Sequence, residues 1–383
     1  MTAAMSTRAA GLQPFLVMEV LERAQELERQ GRPIIHLEVG EPDFATPRAV
    51  CEAAHAALDA GLTHYTHSMG TLRLREAIAA RYARLHGVEI SPDRVLVTGG
   101  SSLAMLYAFG AMVEPGDEVI AATPHYPCYP NFIRFFGGRM VEVPSDPHDG
   151  YRLDPDAVRS AITPRTRLIL LNSPSNPTGA VLEPDRMRAL CELGLPIVSD
   201  EIYHGLTYGE PATTALRFRP DAVVVDGFSK RYAMTGWRLG YLIAPSFMMR
   251  TFQTMQQNLF ISPNAFVQEA AMAALEEGDD DTARMRETYG RRRDLMVGLF
   301  RELGFAIPAM PQGAFYVLAD ASRYTDDSLA FAFELLECAN VAVAPGVDFG
   351  EAARRAIRLC YAASDDAIRE AANRVREYLA CRG

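Results

Sequence analysis

Lysine is almost absent. The 383-residue chain carries 38 lysines and arginines together, and only one, Lys230, is a lysine, which leaves 37 arginines. Arginine fills surface and salt-bridge roles, but it stays protonated in a protein and cannot serve as a nucleophilic amine. On composition alone, Lys230 is equally a leftover surface residue or an amine kept for its chemistry. Tryptophan is as scarce, with Trp237 alone. No C-x-x-C occurs. The six cysteines, Cys51, Cys128, Cys191, Cys338, Cys360 and Cys381, are scattered, which argues against a zinc site or disulfide framework and predicts reduced, mostly buried thiols. No stretch reaches the ~18 apolar residues of a membrane span. Residues 1–11 lack the apolar core of a secretory signal, so a soluble, cytoplasmic protein is expected. A net charge of −10 lacks the basic field of a nucleic-acid binder. G-x-G-x-x-G and the P-loop lysine are also missing, which disfavours an NAD enzyme or a P-loop NTPase.

What is present reads as an α/β protein. Apolar residues at helical spacing over 16–30 predict an entry helix, and 34–39 a short strand. Helices are expected over 47–60 and 71–86. Short, continuously apolar strands follow at 94–98, 118–122, 139–143, 168–172, 197–200, 222–226 and 239–244, with helices between several of them. Such runs predict a mostly parallel, seven-stranded sheet covered on both faces. Asp154-Pro155 marks a capped helix start. After 245 the pattern turns helical, with a long charged helix over 279–302. It then alternates: strand 314–318, helix 326–338, strands 341–344 and 357–361, helix 365–380. The expected division is an arm and part of a small domain over 1–46, a large domain over 47–280, and a small α+β domain over 281–383. The Arg291–Arg293 run is read as a solvated helix face, His64 and His67 as loop or interface residues, and Trp237 as packing under the site.

Four segments carry candidate chemistry, each at the end of an apolar strand, where ligands of open α/β sheets gather. Lys230 lies in VVVDGFSKRYAMTGWRLGY, with Arg238 eight residues on. An amine with a guanidinium returning beside it suits an aldehyde bearing an anionic tail, captured as a Schiff base and clamped bidentately. A structural ion pair is the plainer reading of Arg238. Asp200 ends LPIVSD and precedes Tyr203. A pyridine cofactor needs such a carboxylate to keep its nitrogen protonated, although a helix cap is the commoner use. NSPSNPTG, residues 172–179, is a rigid loop presenting Asn176, or a turn without a ligand. Gly99-Gly100-Ser101-Ser102 joins a strand to a helix N-terminus, an arrangement suited to an anion. Together these are the needs of pyridoxal 5′-phosphate (PLP).

In these motifs, and from LEVGEPDF at 37–44 to RLCYAASDD at 358–366, the chain resembles the class I/II, fold-type I PLP-dependent aminotransferases, the aspartate aminotransferase superfamily. The resemblance implies a large PLP-binding domain with a smaller α+β domain. Lys230 would be the Schiff-base lysine and proton shuttle. Asp200 would pair with the ring nitrogen, Tyr203 and Asn176 would reach the ring oxygen, and Tyr126 would stack on the ring. Gly100, Ser101, Ser102 and Arg238 would hold the phosphate. Arg358 would clamp the substrate α-carboxylate with Asn176 and the backbone of Gly40. Tyr65 would reach the phosphate of a neighbouring subunit, implying a homodimer with shared sites. The implied reaction moves an amino group from an L-amino acid to a 2-oxo acid, with an aspartate, alanine-like or aromatic donor. A β-eliminating C–S lyase of the same fold is the alternative. Two departures stand out. Gly227 replaces a serine common in the family, which shifts phosphate holding toward Ser229. Ser101 stands where aspartate-specialised relatives carry a lysine, which puts strict aspartate specificity in doubt.

Overall fold

The computed structural model describes residues 5–382. A short strand β1 (Ile35–His36) precedes the main sheet. That sheet comprises β2 (Val95–Thr98), β3 (Glu118–Thr123), β4 (Arg139–Pro144), β5 (Thr166–Asn172), β6 (Ile197–Asp200), β7 (Val223–Gly227) and β8 (Gly240–Ile243). Its seven strands run in the order β2-β8-β7-β6-β5-β3-β4, and only β8 is antiparallel to its neighbours. Because β8 alone reverses, the carboxyl ends of the other six strands share one edge with the amino end of β8.

Alternate residues of each strand point to opposite faces. Leu96, Leu170, Val198, Val225 and Leu242 join one core, under the helices Ser101–Met112, Cys128–Phe135 and Ser246–Leu259. Val97, Ile169, Ile197, Val224 and Ile243 join the other, under Arg48–Asp59, Leu72–His86, Pro184–Cys191 and Ala265–Glu277. Full burial of each such side chain contributes roughly 1.5–3 kcal/mol, so a one-residue slip in register would exchange two packed faces. Asp154 does cap its helix, its side chain accepting from the Asp156 amide.

A third core joins the helix Leu16–Arg29 to the C-terminal elements. These are the helices Asp279–Glu302, Ser328–Ala339 and Asp365–Arg382 and the strands β9 (Tyr316–Asp320), β10 (Val341–Ala342), β11 (Ala344–Pro345) and β12 (Ala356–Cys360). Strands β11-β12-β9 form an antiparallel sheet, and β10 pairs with β1.

Several sequence expectations change here. The strand expected over 34–39 pairs only at Ile35–His36, because the backbone beyond it leaves the ladder. There the Leu37 carbonyl accepts from Cys360 and the Glu38 carbonyl accepts from Arg358. The strand expected over 341–344 divides between two sheets. The one expected from 314 starts at Tyr316, since Ala314 turns left-handed at φ 55°. The helices Cys128–Phe135 and Pro184–Cys191, eight residues each, are too short for a helical period to stand out in the sequence.

The Arg291–Arg293 run is not a solvated face. Consecutive helical residues point ~100° apart, so three in a row cannot share one. Arg292 is buried, donating to both Asp43 oxygens at 3.0 and 2.9 Å and to Asp365 at 3.1 Å. Arg293 lies 4.8 Å over the Tyr208 ring. All six thiols are free, but Cys338 and Cys381 are exposed rather than buried.

Candidate active site

One cavity of about 300 Å³ opens at the shared strand edge and reaches the C-terminal elements. Lys230 follows the carboxyl end of β7 and is part-buried in the cavity wall. Its Nζ donates to the Gly40 carbonyl at 2.6 Å. Desolvation lowers this amine to about 8, opposed by Glu41 and reinforced by Arg358 and Arg238. Gly40 also packs against Tyr316, whose hydroxyl would lie 2.1 Å from a Cβ at this position.

Asp200 ends β6 and is buried. Burial pushes its carboxyl up to about 6, against the pull of two hydrogen bonds. The Tyr129 hydroxyl donates to Oδ2 at 2.6 Å and the Ile202 amide to Oδ1 at 3.2 Å. Asn172, the last residue of β5, donates from Nδ2 to the Asp200 carbonyl at 3.1 Å. Its Oδ1 accepts from the Asn176 amide at 2.9 Å, which ties the NSPSNPTG loop to β6.

Arg358, on β12, is 2% exposed. Its Nη1 donates to Asn176 Oδ1 at 3.1 Å, its Nη2 donates to the Glu38 carbonyl, and its Nε has no partner. The guanidinium lies 4.3 Å from the Tyr316 ring centre and 4.9 Å from that of Phe349. Two aromatic rings this close hold the planar cation in one orientation. The Tyr203 and Tyr316 hydroxyls meet at 2.8 Å.

At the other end, Gly100 and Gly240 permit a tight strand–helix junction. A Cβ at Gly100, where φ is +98°, would meet Arg238 Nη2 at 2.7 Å, and one at Gly240 would meet the Ser101 amide at 2.6 Å. The helix that begins at Ser101 has no side-chain cap, so its first amides face the loop. Arg238 donates to the Thr235 carbonyl at 2.8 Å and is itself left-handed at φ 52°. Gly227 lies opposite Gly240 in the register, where a Cβ would come 3.0 Å from the Gly240 Cα, so the crossing favours glycine. Ser229 lines the cavity.

The structure thus brings Gly40, Ser101, Ser102, Tyr126, Asn176, Asp200, Tyr203, Lys230, Arg238 and Arg358 to one cavity, with Gly100 packed behind Arg238. Tyr65 is not among them: it is 81% exposed on the surface. Trp237 does not line the cavity either. Its Nε1 donates to Thr46 at 3.0 Å and anchors the turn before Arg238. His67 Nδ1 faces the Met69 amide within its own loop. Sequence reasoning missed Tyr129, Tyr316 and Asn172. Tyr129 had one signal, its place three residues after Tyr126 in TPHYPCYP. Tyr316 had none, because only the pairing of β9 with β12 sets it beside Arg358.

An amine, a carboxylate and a guanidinium gathered at one edge of this sheet define the fold-type I, PLP-dependent class of enzymes. Residues 32–375 match the family described as Aminotransferase class I and II, and the chain belongs to that family. It is 40% identical to the aspartate/prephenate aminotransferase of Thermus thermophilus over 383 residues, which cover 98% of each chain. It is 40% identical to the valine–pyruvate aminotransferase of Mycobacterium tuberculosis, with 97% of each covered. The solved structure of the aspartate aminotransferase from Thermus thermophilus with maleate superposes with a TM-score of 0.95 at 40% identity, covering 98% of this chain and 100% of that one.

Proposed function

We propose that this protein is a PLP-dependent aminotransferase that exchanges the amino group of an L-amino acid with the oxo group of a 2-oxo acid. The observation that carries this reading is the convergence of Lys230, Asp200 and Arg358 on one cavity, with the lysine Nζ donating a hydrogen bond to the Gly40 backbone oxygen rather than pairing with a carboxylate. None of the relatives named above is a lyase.

The residues fit the cofactor. The glycine-tight loop at Gly100 and the uncapped amides at Ser101 and Ser102, with Arg238 beside them, suit a phosphate. Asp200 would face the ring nitrogen, Tyr203 and Asn176 the ring oxygen, and Tyr126 the ring. When bound, PLP supplies an electrophilic carbon for the amino group and a cationic ring that withdraws electrons from the substrate Cα. Arg358, which lines the cavity, binds the substrate α-carboxylate. Lys230 acts as base at Cα. At pH 7.5 an amine with a pKa of about 8 is neutral roughly 200-fold more often than one at 10.5. Asp200, ionised above about pH 6, keeps a positive charge opposite it.

Purified protein given PLP is expected to absorb near the edge of the visible range, to lose that band on adding an amino acid, and to release a 2-oxo acid. Protein that stays colourless in excess PLP would overturn the reading.

The same reading includes a homodimer with shared sites, in which Tyr65 reaches the phosphate of the partner subunit. Support comes from exposed apolar residues, among them Tyr65 and Phe247 at 81% and Leu259 at 63%. Tyr65→Phe is expected to weaken PLP binding roughly 10-fold, the loss of one hydrogen bond to a charged group, without changing the molecular mass in solution. A monomer at micromolar concentration would remove this part of the reading. The division into 1–46, 47–280 and 281–383 is also proposed, on the core shared by the N-terminal helix and the C-terminal elements. A cytoplasmic location is proposed from the six free thiols. No described helix is long and apolar enough to cross a membrane.

A further inference from the structure

Only three cations line the cavity among the described residues, Lys230, Arg238 and Arg358, and each has a position already. Lys230 is at Gly40, Arg238 is against the Gly100 loop, and Arg358 is held by Asn176 and the Glu38 carbonyl. No further arginine, lysine or histidine remains in the wall for a second substrate carboxylate. The acids that line it, Glu41 and Asp200, would repel one.

The rest of the wall is apolar at the entry helix and facing it: Phe15, Val17, Met18, Met105 and Phe132. The Leu16 and Val17 amides donate to Asp348 at 3.2 and 3.1 Å, which pins this helix start to the C-terminal elements. Val17 packs in one cluster with Phe349, whose ring also covers Arg358. The apolar wall therefore begins at the carboxylate clamp. Phe15 meets the Tyr126 ring edge-on at 6.1 Å. The exposed loop around Tyr65, residues 61–71, carries no arginine or lysine; its two basic residues are His64 and His67, and His67 Nδ1 already accepts from the Met69 amide within the loop.

Resting on the transaminase reading, we infer that this site selects amino acids and 2-oxo acids with uncharged, apolar side chains and discriminates against aspartate and glutamate. An apolar side chain exchanges water for the walls of Phe15, Val17, Met18 and Phe132. A second carboxylate loses its water and gains no cation, which is strongly unfavourable.

The test uses the PLP-loaded holoenzyme and follows loss of its absorbance in separate half-reactions with L-leucine, L-phenylalanine, L-aspartate and L-glutamate. The apolar donors are expected to exceed the acidic ones in kcat/KM by about 100-fold, the scale on which a pocket rejects a poorly matched side chain. Equal or faster reaction of L-aspartate or L-glutamate overturns the inference and leaves transamination standing. Absorbing protein that reacts with none of the four overturns the transaminase reading, and this inference with it. Met18→Arg adds a cation at the rim, where Met18 is 42% exposed. It is expected to narrow the leucine-to-aspartate ratio at least ~10-fold. An unchanged ratio in the folded, PLP-loaded variant shows that this wall does not set the preference.

Discussion

Lys230→Arg is expected to lower kcat/KM for transamination by roughly 10⁴-fold or more, since both covalent capture and proton transfer depend on this side chain. The substitution keeps a long cationic side chain able to donate to the Gly40 carbonyl, so the fold is retained. It removes the neutral form, because a guanidinium does not deprotonate in a protein. The wild-type amine, lowered to about 8, gains its reactive form as pH rises. The rate of PLP uptake by apoprotein should therefore climb through pH 8 in the wild type and be lost in the variant. Borohydride reduction of the PLP-loaded wild type should label one internal peptide, the one containing residue 230, because the sequence has no other lysine. Retention of more than about 1% of wild-type kcat/KM by the arginine variant would contradict a role as base.

Asp200→Asn comes next in size, with kcat expected to fall roughly 10³-fold, the scale of removing one preorganised charge from a reacting centre. Asparagine matches the carboxylate in shape, and its oxygen can still accept from Tyr129. It carries no charge to hold a proton on a ring nitrogen. The wild-type carboxyl, at about 6, is ionised at neutral pH and becomes neutral as pH falls through that value. Wild-type activity should thus decline on the acid side, and a cation bound opposite Asp200 moves that limb lower still. The asparagine variant should lack the limb. Removing the Tyr129 hydroxyl as Tyr129→Phe takes away a bond that favours the ionised form, so the acid limb should move upward in pH. A pH–rate profile of the three proteins checks all of this, and an unaltered acid limb in Asp200→Asn would exclude the carboxylate as its source.

Much of the site was legible because its residues sit at ends of strands that announce themselves. Lys230, Asp200, Asn176 and the Gly100–Ser102 loop each follow a continuous apolar run, and such runs lie side by side in one sheet. Arg358 was different. As one of 37 arginines it had no local mark, and only the likeness to a family singled it out. The Arg291–Arg293 run misled because a string of like charges says nothing about which helix face is covered. The partners of Arg292, Asp43 and Asp365, come from distant parts of the chain.

Hydrophobic pattern and composition settle the fold class, the succession of strands in the main sheet, and the one amine that the chemistry can use; two short helices, Cys128–Phe135 and Pro184–Cys191, escape them. Hydrophobic period and the scarcity of lysine are both local properties of the chain. The tertiary structure is what sets Tyr129 against Asp200, Tyr316 over Arg358, and the entry helix as an apolar wall of the cavity. Each of these joins segments far apart in sequence. Strand register and packing set their distances, and no local pattern encodes them.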